Sequence, residues 1–156
     1  MATLKEGIDE AYEIGAEGFA YLSGKYAEET KEASYAALLT STRELCAYAA
    51  AKGSMPVNLE VFDYDIDKKS LIGPTELALR FAREVRKDHG NFGLLVDLSH
   101  IPMYYESAEQ SILPIRDLIR HVHIGNTVIK DPSLTGYGDT HPRFGFDGGE
   151  NDVRQV

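Results

Sequence analysis

A single cysteine, Cys46, is all the sulfur chemistry this 156-residue sequence has besides methionine, so an intrachain disulfide is excluded. Between Leu45 and Ala47, in a helical pattern, that thiol reads as a small buried apolar residue rather than a nucleophile. Long hydrophobic runs are also lacking. No stretch approaches the ~20 uninterrupted apolar residues of a membrane span, and Met1 to Glu10 lack the basic-then-apolar order of a secretory signal. Together these absences predict a cytoplasmic protein with no membrane partner. Positive charge is scarce: 16 Lys and Arg stand against 25 Asp and Glu, a formal net charge of -9. Such a chain repels a polyanion, and no basic patch offsets the deficit, so a nucleic-acid partner is disfavoured. With 43% hydrophobic and 26% charged residues, residues 1–156 have the composition of one globular domain. No linker, internal repeat or low-complexity segment divides it.

Thr3 and Glu6 have capping-box spacing, Leu4, Ile8, Ala11 and Tyr12 keep helical spacing, and Gly15 is placed to end that helix in a left-handed conformation. The short apolar and aromatic run Gly18 to Leu22, closed by Ser23-Gly24, suits a buried strand. An alanine-rich helical stretch follows from about Ala27 to Lys52, with Leu38, Leu39, Leu45, Cys46 and Ala49 on one stripe. Asn58 to Phe62 reads as a second strand, and Asp63 to Lys69 as a polar loop. Gly73-Pro74 then opens a helix in which Leu77, Phe81 and Val85 recur every four residues, with His89 as a surface residue in its last turn. Gly93 to Asp97 is apolar until its terminal carboxylate, the pattern of a parallel strand covered on both faces. Ser107 with Gln110 can cap a helix reaching Arg120, in which Pro114 either introduces a kink or marks a later start. His121 to Gly125 reads as the fourth strand. Beyond it, residues 131–156 are rich in Gly, Pro, Asp and Asn and read as a long loop. Short strands alternating with longer helices predict an α/β fold of parallel (β/α) units, a partial barrel with four strands.

Each of the last three strands carries a group able to bind a metal: Glu60 in the second, Asp97 at the end of the third, His123 in the fourth. In a parallel barrel the C-terminal strand ends converge on one mouth, where groups distant in sequence meet. Carboxylate and imidazole donors suit Mn²⁺, Mg²⁺, Co²⁺ or Zn²⁺. Taken singly, Glu60 better suits an ion pair with a neighbouring Lys or Arg, and His123 a hydrogen-bonded core histidine. Two further pairs strengthen the metal reading. His100 lies three residues beyond Asp97, where a turn brings it back over the mouth, and Asp139 and His141 are two apart in the long loop, able to face one ion if the backbone is extended. His121 shares a face with His123 one layer deeper, which suits a structural or supporting role.

Asn58-Leu59-Glu60, Leu95 to His100, His121 to Asn126 and Gly138 to Gly145 together resemble the sugar phosphate isomerase/epimerase branch of the xylose-isomerase-like barrels, and the resemblance covers nearly the whole chain. That superfamily includes ketose 3-epimerases, hydroxypyruvate isomerase, inosose dehydratases and apurinic endonucleases. The resemblance implies strands four to seven of an eight-stranded barrel, with strands one to three and eight not represented. It also implies that Glu60, Asp97 and His123 are ligands of a shared divalent metal. Asp139 and His141 resemble the Asp-x-His pair that holds an additional zinc in the endonucleases. By the same resemblance Glu60 and His100 are the catalytic candidates, while His100, Asn126 and Arg143 are the substrate contacts. The family's strand-eight glutamate has no counterpart, because Glu150 falls in the loop without a strand pattern around it.

The activity this implies is isomerisation or epimerisation of a sugar or sugar phosphate by proton transfer through an enediolate, with Glu60 as base. Tyr104 and Tyr105 would form a wall, and the 63–72 loop and 102–106 segment would close over the polyol. Two alternatives are a metal-dependent phosphodiesterase of the apurinic endonuclease type and a non-catalytic half-barrel. The unpaired edges of a four-strand sheet further predict a homo-oligomer.

Overall fold

A computed structural model describes residues 1–154, so Gln155 and Val156 of the expected C-terminal loop lie outside the described residues. Eight principal elements alternate along the chain: α1 (Ala2–Glu13), β1 (Phe19–Leu22), α2 (Lys31–Ala50), β2 (Val57–Val61), α3 (Thr75–Arg86), β3 (Phe92–Asp97), α4 (Ala108–Ile115) and β4 (Ile119–His123). The strands form one parallel sheet in the order β1-β2-β3-β4. This is a TIM-barrel-like α/β fragment, as the alternation of short strands and longer helices predicts.

Strand residues alternate between two environments. Tyr21, Val57, Leu59, Val61, Phe92, Leu94 and Val96 form the buried core with Ile8, Leu45, Cys46, Ala49, Phe81 and Val85 of the helices. The opposite, concave face carries Ala20, Asn58, Glu60, Leu95, His121 and His123 around an open hollow of about 400 Å³. The inner face is therefore mostly polar. Cys46 is fully buried, in keeping with its reading as a small apolar residue.

Several local expectations are corrected. The Thr3/Glu6 capping box does not form, because α1 already begins at Ala2 with Met1 as its N-cap and no side-chain cap. The long second helix is preceded by a separate 3₁₀ turn at Glu28–Thr30. Pro114 sits in the last turn of α4, and the chain tightens into a 3₁₀ turn at Arg116–Leu118. The last strand is Ile119–His123 rather than His121 to Gly125. Leu94 pairs with Ile119 and Leu95 with His121, so Arg120 is an extra residue in a bulge. Its stem occupies the space above Gly93, where a Cβ would stand 2.1 Å from the Arg120 Cγ. Glycine at 93 lets the bulged arginine lie flat on the inner face.

The other expected caps hold. Ser107 and Gln110 form a reciprocal capping box on α4, and Gly15 takes φ +72° after α1. Helix α3 borrows its cap: Glu106 accepts the Thr75 N–H at 3.0 Å and the Thr75 hydroxyl, since Pro74 has no side-chain acceptor. Past β4, residues up to 154 form no helix or extended strand. Asn126 and Asn151 hold this loop down. The Asn126 side-chain Oδ1 accepts the backbone N–H groups of Thr127 and Asn151, and the Asn151 side-chain Nδ2 donates to the Leu98 and Gly125 carbonyls at 2.7 and 2.9 Å. The loop thereby folds over the C-terminal ends of β3 and β4. Among the described residues, no helix is long and apolar enough to cross a membrane.

Candidate metal centre

Parallel pairing sets the level of each candidate side chain. Glu60 pairs with Leu95, Leu95 with His121, and Asp97 with His123. Asp97 and His123 thus occupy the uppermost layer of the inner face, and Glu60 and His121 the layer beneath. One ligand atom each from Glu60, Asp97 and His123 lies within 4.8 Å of the others. That span fits an ion with bonds of about 2.0–2.2 Å after small rotamer adjustments. His123 Nδ1 is 3.5 Å from one Asp97 oxygen. The other Asp97 oxygen accepts the Ser99 N–H at 2.8 Å and the Ser99 hydroxyl at 2.6 Å, which fixes the carboxylate although it is only 1% exposed.

His100 returns over the mouth as its spacing suggests. A turn closed by the His100 N–H on the Asp97 carbonyl carries it there, and its ring lies on Phe62 with centroids 3.7 Å apart. Its Nδ1 faces Glu60 at 3.5 Å and its Nε2 faces Asp139 at 3.2 Å. Nδ1 is buried without a hydrogen-bond partner. Burial pushes the His100 pKa below the ordinary imidazole value, keeping the ring neutral near neutral pH.

Asp139 and His141 also converge, by a route other than the extended backbone expected. His141 adopts φ +49°, a left-handed conformation uncommon for a side chain of this size. Its Nε2 is 2.9 Å from Asp139 Oδ1, 3.4 Å from His100 Nε2, 3.0 Å from Ser99 Oγ and 3.8 Å from Asp97. The separations among His100, Asp139 and His141 are close to the ~3.3 Å edge of a tetrahedron with bonds near 2.05 Å. Two adjoining donor sets therefore share the mouth, with Asp97 between them.

Burial, followed by the charges of Asp97 and Asp139, pushes the Glu60 pKa up to about 7, against a smaller opposing effect of Lys68. Burial alone would raise Asp139 as well, but the Lys68 ammonium and His100 outweigh it and hold that carboxyl below its usual value. The polar and ionic groups present fit a divalent cation on both chemistry and spacing: two carboxylates and an imidazole in the first set, two imidazoles and a carboxylate in the second.

The remaining candidates lie differently. Asn126 is 1% exposed and its amide is engaged by the loop itself, with Nδ2 donating to the Arg143 carbonyl. Arg143 is exposed at the surface of that loop, its guanidinium donating to Phe144 at 3.3 Å. Tyr104 is corrected as a wall: it is 3% exposed and its hydroxyl meets Ser111 in the core. Tyr105 does stand in the open, donating to the Asp65 carboxylate at 3.2 Å and packing against Tyr64.

Sequence reasoning missed two residues, Asp63 and Lys68. Asp63 is fully buried at the end of β2 and accepts the N–H groups of Ile66, Asp67, Lys68 and Lys69 at 2.7–3.3 Å. An Asp followed by successive polar loop residues is the signal for such a wound loop. The winding delivers the Lys68 ammonium to Asp139 Oδ2 at 3.0 Å.

The sequence model of the family described as "Xylose isomerase-like TIM barrel" matches residues 1–154. No curated protein sequence matches the chain. Among solved structures, a D-tagatose 3-epimerase-like protein superposes with a TM-score of 0.69 at 20% identity, covering 91% of this chain and 51% of that one. D-Allulose 3-epimerase from Methylomonas sp. gives a TM-score of 0.63 at 25% identity, covering 87% and 47%. AP endonuclease, family 2, from Brucella melitensis gives 0.68 at 16% identity, covering 85% and 52%. The chain thus spans about half the length of these structures.

Proposed function

The chain belongs to the xylose isomerase-like TIM barrel family, and on that premise we propose that it forms the metal-binding half of a sugar or sugar phosphate isomerase or epimerase. The observation that carries this reading is the convergence of Glu60, Asp97 and His123 within 4.8 Å at adjacent strand ends. Glu60, Asp97 and His123 would hold a Mn²⁺, Mg²⁺, Co²⁺ or Zn²⁺ ion. When bound, the ion supplies Lewis-acid stabilisation for the negative charge that develops on a ketose carbonyl and its neighbouring hydroxyl.

The chain's own residues do the rest. Glu60, on the inner face at the mouth beside Asp97 and His123, is placed to take the proton from the carbon between those oxygens and to release it again. His100, neutral and wedged between Glu60 and Asp139, donates its Nε2–H to Asp139 and presents Nδ1 beside Glu60, placed to accept a hydrogen bond from a substrate hydroxyl. Arg143, exposed on the loop two residues beyond His141, suits a phosphate or a polyol terminus. β1 ends on Leu22 and brings no carboxylate to the mouth, so the return of a proton to the opposite face calls on a group outside this half.

One test isolates the step these residues can perform. With Mn²⁺ in D₂O, proton NMR should show slow exchange at the carbon next to the carbonyl of D-tagatose, D-fructose or D-allulose, and Glu60→Gln should abolish it. Exchange that survives Glu60→Gln would remove Glu60 as the base, and an absence of exchange from every ketose would remove the proposed chemistry.

The second donor set favours one other reading, a phosphodiesterase of the AP endonuclease type, since paired metals suit phosphate-ester cleavage. The net charge of -9 argues against a DNA substrate. Nicking of an abasic-site duplex by the metal-loaded chain would favour that reading over the first. As a partner for the exposed sheet edges we propose a second copy of this chain.

A further inference from the structure

Lys68 lies outside both donor sets, yet its ammonium is 3.0 Å from Asp139 Oδ2 and 5.9 Å from the centre of the Phe62 ring that supports His100. The loop that carries it is not free to wander. Asp63 gathers four consecutive N–H groups, those of residues 66 to 69. The neighbouring Asp67 also accepts the Asp139 N–H at 3.0 Å. Consecutive residues of one wound loop thus hold both the backbone and the side chain of Asp139. The outcome is an ordered chain of contacts: Lys68 on one Asp139 oxygen, His100 and His141 on the other at 3.2 and 2.9 Å, and Glu60 on the far nitrogen of His100 at 3.5 Å.

We infer that Lys68 determines how many metal ions this centre takes: its ammonium serves as the cation of the His100/Asp139/His141 set, so that a single divalent ion binds, at Glu60/Asp97/His123. This rests on the metal-binding reading above. Two physical effects produce the restriction. An ion among His100, Asp139 and His141 would lie within a few ångström of the Lys68 ammonium, a range at which like charges repel even where, as here, the lysine is partly exposed to water. In addition, the charge that Asp139 would offer the ion is already shared with Lys68. The same contact gives Lys68 a positive role, because Asp139 held in this position keeps His100 oriented toward Glu60 without a second metal. Lys68 is therefore a positioning and specificity residue. It is a feature of this loop, separate from the donor residues themselves.

Isothermal titration of the full 156-residue chain with Mn²⁺ or Zn²⁺ alone, checked by elemental analysis after gel filtration, reads the ion count directly. Lys68→Met should bind one more divalent ion per chain than the unaltered protein. Its second event should be about tenfold or more tighter than any seen without the substitution. Lys68→Gln should do the same, and Lys68→Arg, which preserves the charge, should restore the original count. The loop's fold depends on backbone N–H groups and Asp63, so these variants retain it, as circular dichroism and the melting curve will report. Equal ion counts for Lys68→Met, Lys68→Gln and the unaltered chain overturn the inference. Failure of the underlying metal reading is a separate result: the first ion would then survive Asp97→Ala.

Discussion

At the scale of single residues, the centre is a contest between burial and charge. Glu60 loses solvation, faces two other carboxylates, and responds by holding a proton up to about pH 7. Because its folded pKa lies above the unfolded value of 4.5, the sign is fixed: the metal-free chain keeps full stability below about pH 4.5 and loses part of it as pH rises through 7. Glu60→Gln removes that loss. We expect its urea midpoint to match the unaltered chain at pH 5 and to exceed it at pH 8, by on the order of 1 kcal/mol once solvent at the open mouth is allowed for. A variant less stable than the parent at pH 8 would contradict this account. Metal ions should displace the Glu60 proton, so binding should weaken below neutrality and release protons to the buffer. Asp97→Ala or His123→Ala should abolish divalent-ion binding, which in the unaltered chain should be on the order of micromolar or weaker because three protein ligands leave the ion largely hydrated. Calorimetry showing unaltered binding in both variants would put the ion elsewhere.

At the scale of elements, strands and caps were legible mainly where a local rule decides them. The apolar run ending in Asp97, the four-residue spacing in α3 and the Ser107/Gln110 capping box each depend on neighbours in sequence, and each is found. Ser107→Ala should therefore cost about 1 kcal/mol, measurable by thermal unfolding. Most of what was illegible depends on partners far along the chain. The start of β4 at Ile119 is fixed by its pairing with Leu94 and by the room Gly93 gives the bulged Arg120. The Thr3/Glu6 box, a local signal, loses to a helix beginning two residues earlier, at Ala2. The centre divides the same way. Glu60, Asp97 and His123 could be placed because strand order and parity put them on one face, while the left-handed His141 and the reach of Lys68 follow from a loop fold that no periodicity encodes. Asp63 is the element-scale test of that loop. Asp63→Ala leaves four N–H groups without their shared acceptor and should cost about 2–3 kcal/mol. It should also release Lys68, so the count of bound ions should rise as it does in Lys68→Met.

At the scale of the whole molecule, four parallel strands leave two edges and one concave face without a covering layer among the described residues. The C-terminal loop does not supply it: Asn126 and Asn151 direct it across the strand ends, leaving the hollow beneath Glu60 open. In that hollow the Asn58 side-chain oxygen is buried without a partner, an arrangement that costs free energy until something fills it. On the outside, Val122 and Ile124 of the last strand and its exit are 50% and 60% exposed, beside a trough lined by Ile101 and Ile112. A second copy related by a two-fold axis along the barrel would answer all three. It would set β1 against β4, bring α1 into that trough, and place Glu17 opposite Arg120 at the N-terminal ends of the joined strands. We therefore expect the 156-residue chain to self-associate in sedimentation, more strongly as salt screens its net charge. Arg120→Glu should weaken the association and Glu17→Arg in the same chain should recover it, a pattern that non-specific aggregation would not give. A concentration-independent monomer with a cooperative melt would refute the two-fold arrangement, and would mean that the polar inner face is stable in water as it stands.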